Sequence, residues 1–251
     1  MAGAYISVDR ILSKLDEYLS KNDYVFAEKH LLYWLSEAKA NKDFKVEILI
    51  LNELMGLYRK LGRKEDAMDC VKNSLELIEK AGISAHVGSA TTYLNSATVY
   101  KAFGMADKSM PLFEKAKDIY ERELDSNDIR LAGLYNNMAL ALVDLTDFDG
   151  AENLYNKAIS IMRKNANGDL EIAITYLNMA TAAEQKLGLL EADEIINDYL
   201  TQAQQILDTH LLQDGYYAFV CEKCASVFGY YGWFYFENEL KERSRRIYER
   251  N

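Results

Sequence analysis

A turn residue returns at Gly62, Gly104, Thr146 and Gly188, each 42 residues after the last, and again at Gly232. The small residues at the start of the following helix keep nearly the same step: Ala27, Ala67, Ser109, Ala151 and Ala192 lie 40, 42, 42 and 41 residues apart. A fixed period in this range belongs to stacked supersecondary units, each too small to bury its own apolar face and each covered by its neighbours. No other feature narrows the fold of this 251-residue chain as far.

Inside a unit the apolar spacing is helical. Ala151, Leu154, Tyr155, Ala158, Ile161 and Met162 recur at three and four residues, the signature of one buried helix face. Small residues at Ala139, Ala151 and Ala158 let helix backbones approach, and Leu142 and Tyr155 fill the gaps between them. Thr146 and Asp149 stand where a capping box would start the second helix. The chain has a single proline, where average usage would give about 12; its scarcity argues for helices throughout, joined by short connections. By these markers the chain divides into about six helix-turn-helix hairpins, near residues 8–40, 46–81, 88–124, 129–165, 170–208 and 216–250. No Ser/Gly/Pro-rich linker separates them, so residues 1–251 read as one all-α domain.

Composition removes several classes of function. With 39 acidic and 29 basic residues the chain carries a net charge of −10, which repels phosphate backbones and argues against nucleic acid as a partner. The densest basic run, Lys241, Arg243, Arg245, Arg246 and Arg250, is interleaved with Glu237, Glu239, Glu242 and Glu249 and reads as a salt-bridged helix face. No stretch approaches the ~18 apolar residues of a membrane span. The start, MAGAYISVDR, has neither the basic region nor the apolar core of a signal peptide. Three cysteines suggest reduced thiols and a cytoplasmic location. The sequence has no nucleophile elbow, phosphate loop, His-Glu-x-x-His or dinucleotide fingerprint, so neither an enzyme nor a cofactor is expected.

Two stretches carry a family resemblance. The spacing of Leu54, Tyr58 and Ala67, and of Ala97, Tyr100, Ser109, Phe113 and Ala116, resembles the tetratricopeptide repeat. More narrowly, YLNSATVYKAFG with KSMPLFEKAKDIYE, and YNNMALALVDLTDFDGAENLYNKAISI, resemble the kinesin-light-chain type of that repeat. That type has a 42-residue unit, an Asn before the first-helix alanine and a Pro-Leu-aromatic step, at which Pro111 stands. The missing N–H of Pro111 costs little if its helix starts near Asp107. The likeness is closest over residues 88–205, extends to 48–80 and fades at both ends; it is broken at Thr146, where glycine is usual, and shifted by one residue at Leu187-Gly188. The resemblance implies a right-handed α-solenoid that binds a protein or peptide segment in a concave groove.

Asn95, Asn137 and Asn178 fall 42 and 41 residues apart, each two positions before a small residue, Ala97, Ala139 or Ala180. Asparagine is a poor helix former, so its return at one place asks for a reason. Its amide both donates and accepts, and can pair with a peptide group. The resemblance implies that this position faces the groove and holds the main chain of a bound segment; alternatively the three amides bridge neighbouring helices, and the two roles are compatible. Other first-helix residues expected to face the groove are Thr91, Thr98, Lys101, Asn136, Leu140, Leu177, Thr181 and Gln185. Lys101, Arg59 and Lys60 are too few for a carboxylate clamp, and an extended or helical segment with some apolar side chains fits better.

Two further motifs each have a sharp and a plain reading. The CEKC of Cys221–Cys224 has the spacing of half a zinc site or a redox pair, but no second half follows and both thiols fit a helix core, so no metal is expected. FGYYGWFYF, residues 228–236, is an end cap or an aromatic contact surface. Tyr230, Tyr231 and Trp233 are its candidates for a contact, including one that would pair two copies of the chain. The leading function is a protein- or peptide-binding scaffold. Self-association through the aromatic C-terminal hairpin and regulation by sensing a small ligand are the alternatives.

Overall fold

The computed structural model describes residues 7–166 and 168–250. The first six residues of the segment read for a targeting signal lie outside the described residues. Among the described residues the chain is an all-α solenoid of twelve helices with no strand. It divides into two compact units, residues 1–123 and 124–251.

The first unit contains α1 (Val8–Ser20), α2 (Tyr24–Ala40), α3 (Phe44–Lys60), α4 (Lys64–Lys80), α5 (Val87–Ala102) and α6 (Ala106–Glu123). Odd helices are the first of each pair and even helices the second. Small residues decide how closely they meet. Ala27, Ala67, Ala90, Ala97 and Ala116 have no exposed surface, and Ile11, Leu31, Ile50, Leu54 and Phe113 fill the space between them. The second unit contains α7 (Ile129–Asp144), α8 (Phe148–Met162), α9 (Gly168–Leu187), α10 (Asp193–Thr209), α11 (Gly215–Tyr230) and α12 (Phe234–Tyr248). Ala139, Ala158, Ala180 and Ala203 have no exposed surface, with Leu134, Leu200, Tyr217 and Phe228 as the large buried side chains around them.

The hairpin turns share one construction, except that between α9 and α10. At the end of α7, Thr146 donates its backbone N–H to the Val143 carbonyl at 3.0 Å and Asp147 donates to the Leu142 carbonyl at 2.9 Å. These paired bonds close a helix through one left-handed residue. That residue is Thr146, with φ +63°, and the same conformation recurs at Asn22, Gly62, Gly104, Gly188 and Gly232. The expected capping box is corrected by this geometry. A left-handed residue cannot also be the extended cap of the next helix, so the cap moves one residue on: the Asp147 carboxylate accepts the Gly150 N–H at 3.0 Å. Asp23 and Asp43 cap α2 and α3 in the same way.

The expectation for Pro111 is also corrected. Because α6 begins at Ala106, Pro111 lies in its second turn, beyond the N–H groups that have no helical partner. The Asp107 carbonyl therefore loses its intrahelical donor. At Gly188 the unit is wider than elsewhere, since α10 starts only at Asp193, and Leu190 in the gap is largely exposed.

Candidate functional site

The recurrent asparagines lie on first helices, half-buried, and the structure gives each a definite partner. In the first unit Asn95 on α5 donates its amide N–H to the Asn52 Oδ1 on α3 at 3.1 Å. The Asn52 amide in turn donates to the Thr92 hydroxyl and to the Ile48 carbonyl, both at 3.0 Å. In the second unit Asn178 on α9 donates to the Asn136 Oδ1 on α7 at 3.4 Å, and the Thr175 hydroxyl donates to the same oxygen at 3.4 Å. Asn137 spends one amide N–H on the Gly133 carbonyl of its own helix, at 2.8 Å. Asn95 and Asn178 are thus rungs between adjacent first helices, while among the described residues the Asn137 side chain bonds only its own helix. Among the described residues the Oδ1 atoms of Asn95, Asn137 and Asn178 accept no hydrogen bond.

The flanking residues divide by burial. Thr98, Lys101, Leu140 and Thr181 are half-buried, the two threonines turned back on the Leu94 and Leu177 carbonyls at 2.8 and 3.2 Å. Thr91 and Gln185 are exposed, and the Thr91 hydroxyl lies 2.7 Å from that of Tyr120. Asn136 and Leu177 do not face outward: they are 9% and 3% exposed, inside the stack. Each lies beside an outward-facing asparagine on its helix, and successive residues of a helix point about 100° apart. Asn52, Thr92 and Thr175 were not singled out by the sequence reading. Their signal was available, because Asn52 precedes Asn95 by 43 residues and Asn136 precedes Asn178 by 42.

In the second unit the first-helix surface holds a recess of about 480 Å³ between α9 and α11, lined by Thr181, Glu184 and Gln185 on one side and Ser226, Val227 and Tyr230 on the other. Glu184 fixes its end: Tyr230 and Tyr231 each donate a hydroxyl to that carboxylate at 2.7 Å. Burial, with the Glu184 carboxylate adding, holds the Tyr231 hydroxyl well above the usual phenol range. Trp233 is half-buried, its indole N–H donated to the Asn197 Oδ1 at 3.3 Å, and it packs on the buried Phe228. Of the three aromatic candidates only Tyr230 is largely exposed. Phe234 and Tyr235 of the same motif are also exposed, at 62% and 96%.

Cys221 and Cys224 pack in the core of the second unit. Burial pushes their thiols up to about 11 and about 12, away from the thiolate that metal binding and redox chemistry need. Among the described residues no group of three or more His, Cys, Asp or Glu is placed to hold a metal ion. The basic C-terminal helix is salt-bridged, with Lys241 on Glu237, Arg243 on Asp208 and Glu239, and Arg245 and Arg246 on Glu242. Among the described residues no helix is long and apolar enough to cross a membrane.

Family models for the tetratricopeptide repeat match residues 47–122 and 132–165. The chain carries tetratricopeptide repeats. Its fold is similar to that of BtubC (BKLC) from P. vanneervenii, with 18% identity over 82% of each chain and a TM-score of 0.67. It is also similar to a structure of kinesin-light-chain TPR-like repeats from Podosopora anserina, with 18% identity, 78% of this chain and 92% of that one covered, and a TM-score of 0.53. No curated protein matches the sequence. Tetratricopeptide repeats generally build protein-interaction modules, and this chain is a scaffold of such repeats.

Proposed function

We propose that the scaffold holds a protein segment along its first-helix face, the surface that the resemblance makes the concave groove, and that Asn95, Asn137 and Asn178 pair with the segment's backbone. One observation carries this reading: three half-buried amides at the repeat period, each with an Oδ1 that no described group occupies. A half-buried acceptor in search of a donor suits a peptide N–H, which every residue but proline supplies. The threonines beside them and Leu140 add small polar and apolar contacts of the kind an extended chain can use. The three reduced thiols and the acidic charge fit a cytoplasmic setting.

Asn137→Ala is the sharpest test, because its side chain bonds only its own helix. A peptide selected on the intact chain from a random display library would serve as probe. Each alanine should weaken it by roughly 1 kcal/mol, about fivefold, with the Asn137 variant as stable as the parent. Unchanged affinity in the triple variant would refute groove binding by these amides.

A second reading has its own observation. Phe234 and Tyr235 stand exposed beside Tyr230 at the C-terminal hairpin, and exposed aromatic patches mark interfaces. Self-association there would show as a mass that rises with concentration in sedimentation and is restored to the monomer by Tyr235→Ser.

A further inference from the structure

The second unit holds a cavity away from the asparagine rungs, among second helices α8 and α10 with α9 as its floor. Its volume is about 250 Å³, below the roughly 300–1,000 Å³ of pockets that take drug-sized ligands and cofactors. The floor is apolar, made by Met179, Ala182 and Ala183 of α9 with Ile195 of α10 beside them. Three aromatic rings, Phe148, Tyr155 and Tyr199, form the walls, and Tyr199 is held in place by stacking on Tyr176 at 5.9 Å. Two charged side chains stand at the mouth. The Lys186 ammonium is already bound to Asp149 at 2.7 Å. The Glu152 carboxylate has no ion-pair or hydrogen-bond partner among the described residues. The charge left over at the mouth is therefore negative.

We infer that this cavity seats an arginine side chain of a bound protein segment. Aromatic walls attract a guanidinium through the ring faces, and an apolar floor suits the three-carbon stem that arginine buries while its head stays near water. Glu152 supplies the carboxylate that a planar fork of N–H donors matches in pairs. The surroundings favour the same sign. Residues 124–251 contain 20 acidic and 11 basic residues, a balance of −9, against 19 and 18 over residues 1–123. Helix α10, which forms one side of the cavity, carries Asp193, Glu194, Asp198 and Asp208 and no Lys or Arg. A carboxylate ligand would have to displace Asp149 from Lys186, whereas a guanidinium displaces nothing. The inference rests on the reading of the chain as a protein-binding scaffold, but it uses none of the asparagine-bearing surface.

The test is a titration of the full chain with acetyl-arginine methylamide, followed by methyl NMR at Met179, Ala182, Ala183 and Ile195. Saturable shifts confined to these methyls are expected. The citrulline analogue, equal in shape and neutral, should bind about tenfold more weakly, the scale of a lost charge-assisted bond. Glu152→Gln should bring arginine down to the level of citrulline, and Ala183→Leu, which fills the floor, should abolish the shifts. Glu152 is exposed on α8, so that variant folds even if the filled cavity does not. Equal binding of arginine and citrulline, tighter binding of acetyl-glutamate methylamide, or no shift at all would each overturn the assignment. An unchanged chain that shows no arginine site yet binds the display-selected peptide would overturn it alone and leave the first-helix reading standing.

Discussion

Replacing Thr146 by glycine should make the protein more stable, although it deletes a side chain and adds nothing. Thr146 sits at φ +63°, where an L-residue brings its Cβ against the following carbonyl at roughly 1–2 kcal/mol. Threonine, branched at Cβ, belongs at the upper part of that range. Against this, glycine widens the unfolded ensemble by about 0.4–1 kcal/mol. Nothing else is lost: the side chain is exposed, its hydroxyl makes no hydrogen bond among the described residues, and both closing bonds of the turn come from backbone N–H groups. The net gain is about 0.5–1 kcal/mol. Urea unfolding should show a higher midpoint with an unchanged slope, since the surface exposed on unfolding is the same. The reciprocal change, Gly232→Thr, lies in the same unit, has φ +84°, and its added Cβ would meet no atom within 4 Å. It should lower the midpoint by a similar amount for purely conformational reasons. A Thr146→Gly protein no more stable than the parent, beside a Gly232→Thr protein that loses nothing, would refute the account of these turns.

Other changes probe the core and its charges. Tyr155 is buried and its hydroxyl has no hydrogen-bond partner among the described residues, while Phe113, 42 residues earlier, fills the matching place without one; Tyr155→Phe should therefore raise stability by about 1 kcal/mol in denaturant unfolding. Burial pushes the thiols of Cys70, Cys221 and Cys224 up to about 12, 11 and 12, so iodoacetamide at pH 8 should leave all three unlabelled in the native protein and reach them only after denaturation. Burial, with the Asp16 carboxylate adding, holds the Glu53 carboxyl above its ordinary value. Its ionisation therefore weakens the folded state as pH rises through the folded pKa, and that penalty is gone below the unfolded value. Glu53→Gln should stabilise the chain at pH 7 by less than about 1 kcal/mol, and the gain should vanish near pH 4 on comparing unfolding midpoints.

The repeat was legible because turns and close helix contacts each demand a narrow set of residues. A left-handed residue at the end of a helix and an alanine where two backbones meet leave marks at fixed steps, and these marks stand at Gly62, Gly104, Ala97 and Ala139. What one helix donates to its neighbour left a fainter trace. The pairing of Asn95 with Asn52 depends on two helices lying side by side in one register, and a one-residue offset brought Asn136 rather than Asn137 into the stack. The cap of α8 was misplaced for a local reason: threonine is a good cap, but the turn needed a left-handed residue at Thr146 first. In the C-terminal motif composition identified the aromatics and could not sort them. Tyr231 and Trp233 turned inward to Glu184 and Asn197, partners 47 and 36 residues away, and Phe234 and Tyr235 were left in solvent.

The way α1 is attached has a consequence for motion. Its only fully buried side chains are Ile11 and Leu15, and its chief anchor outside its own helix is the His30 ring, 3.0 Å from the Ile11 carbonyl. It packs mainly on α2, whereas α3 is clasped by α2, α4 and α5 together. Opening α1 therefore uncovers two large side chains, while opening α3 uncovers eight buried residues. Amide protons of α1 should exchange with deuterium far sooner than those of α3, through a detachment that leaves the rest of the first unit folded. Helix α1 is then a hinged flap on a firm body, and the first peptide bonds a protease cuts in the native protein should lie close to Asn22, where α1 swings away.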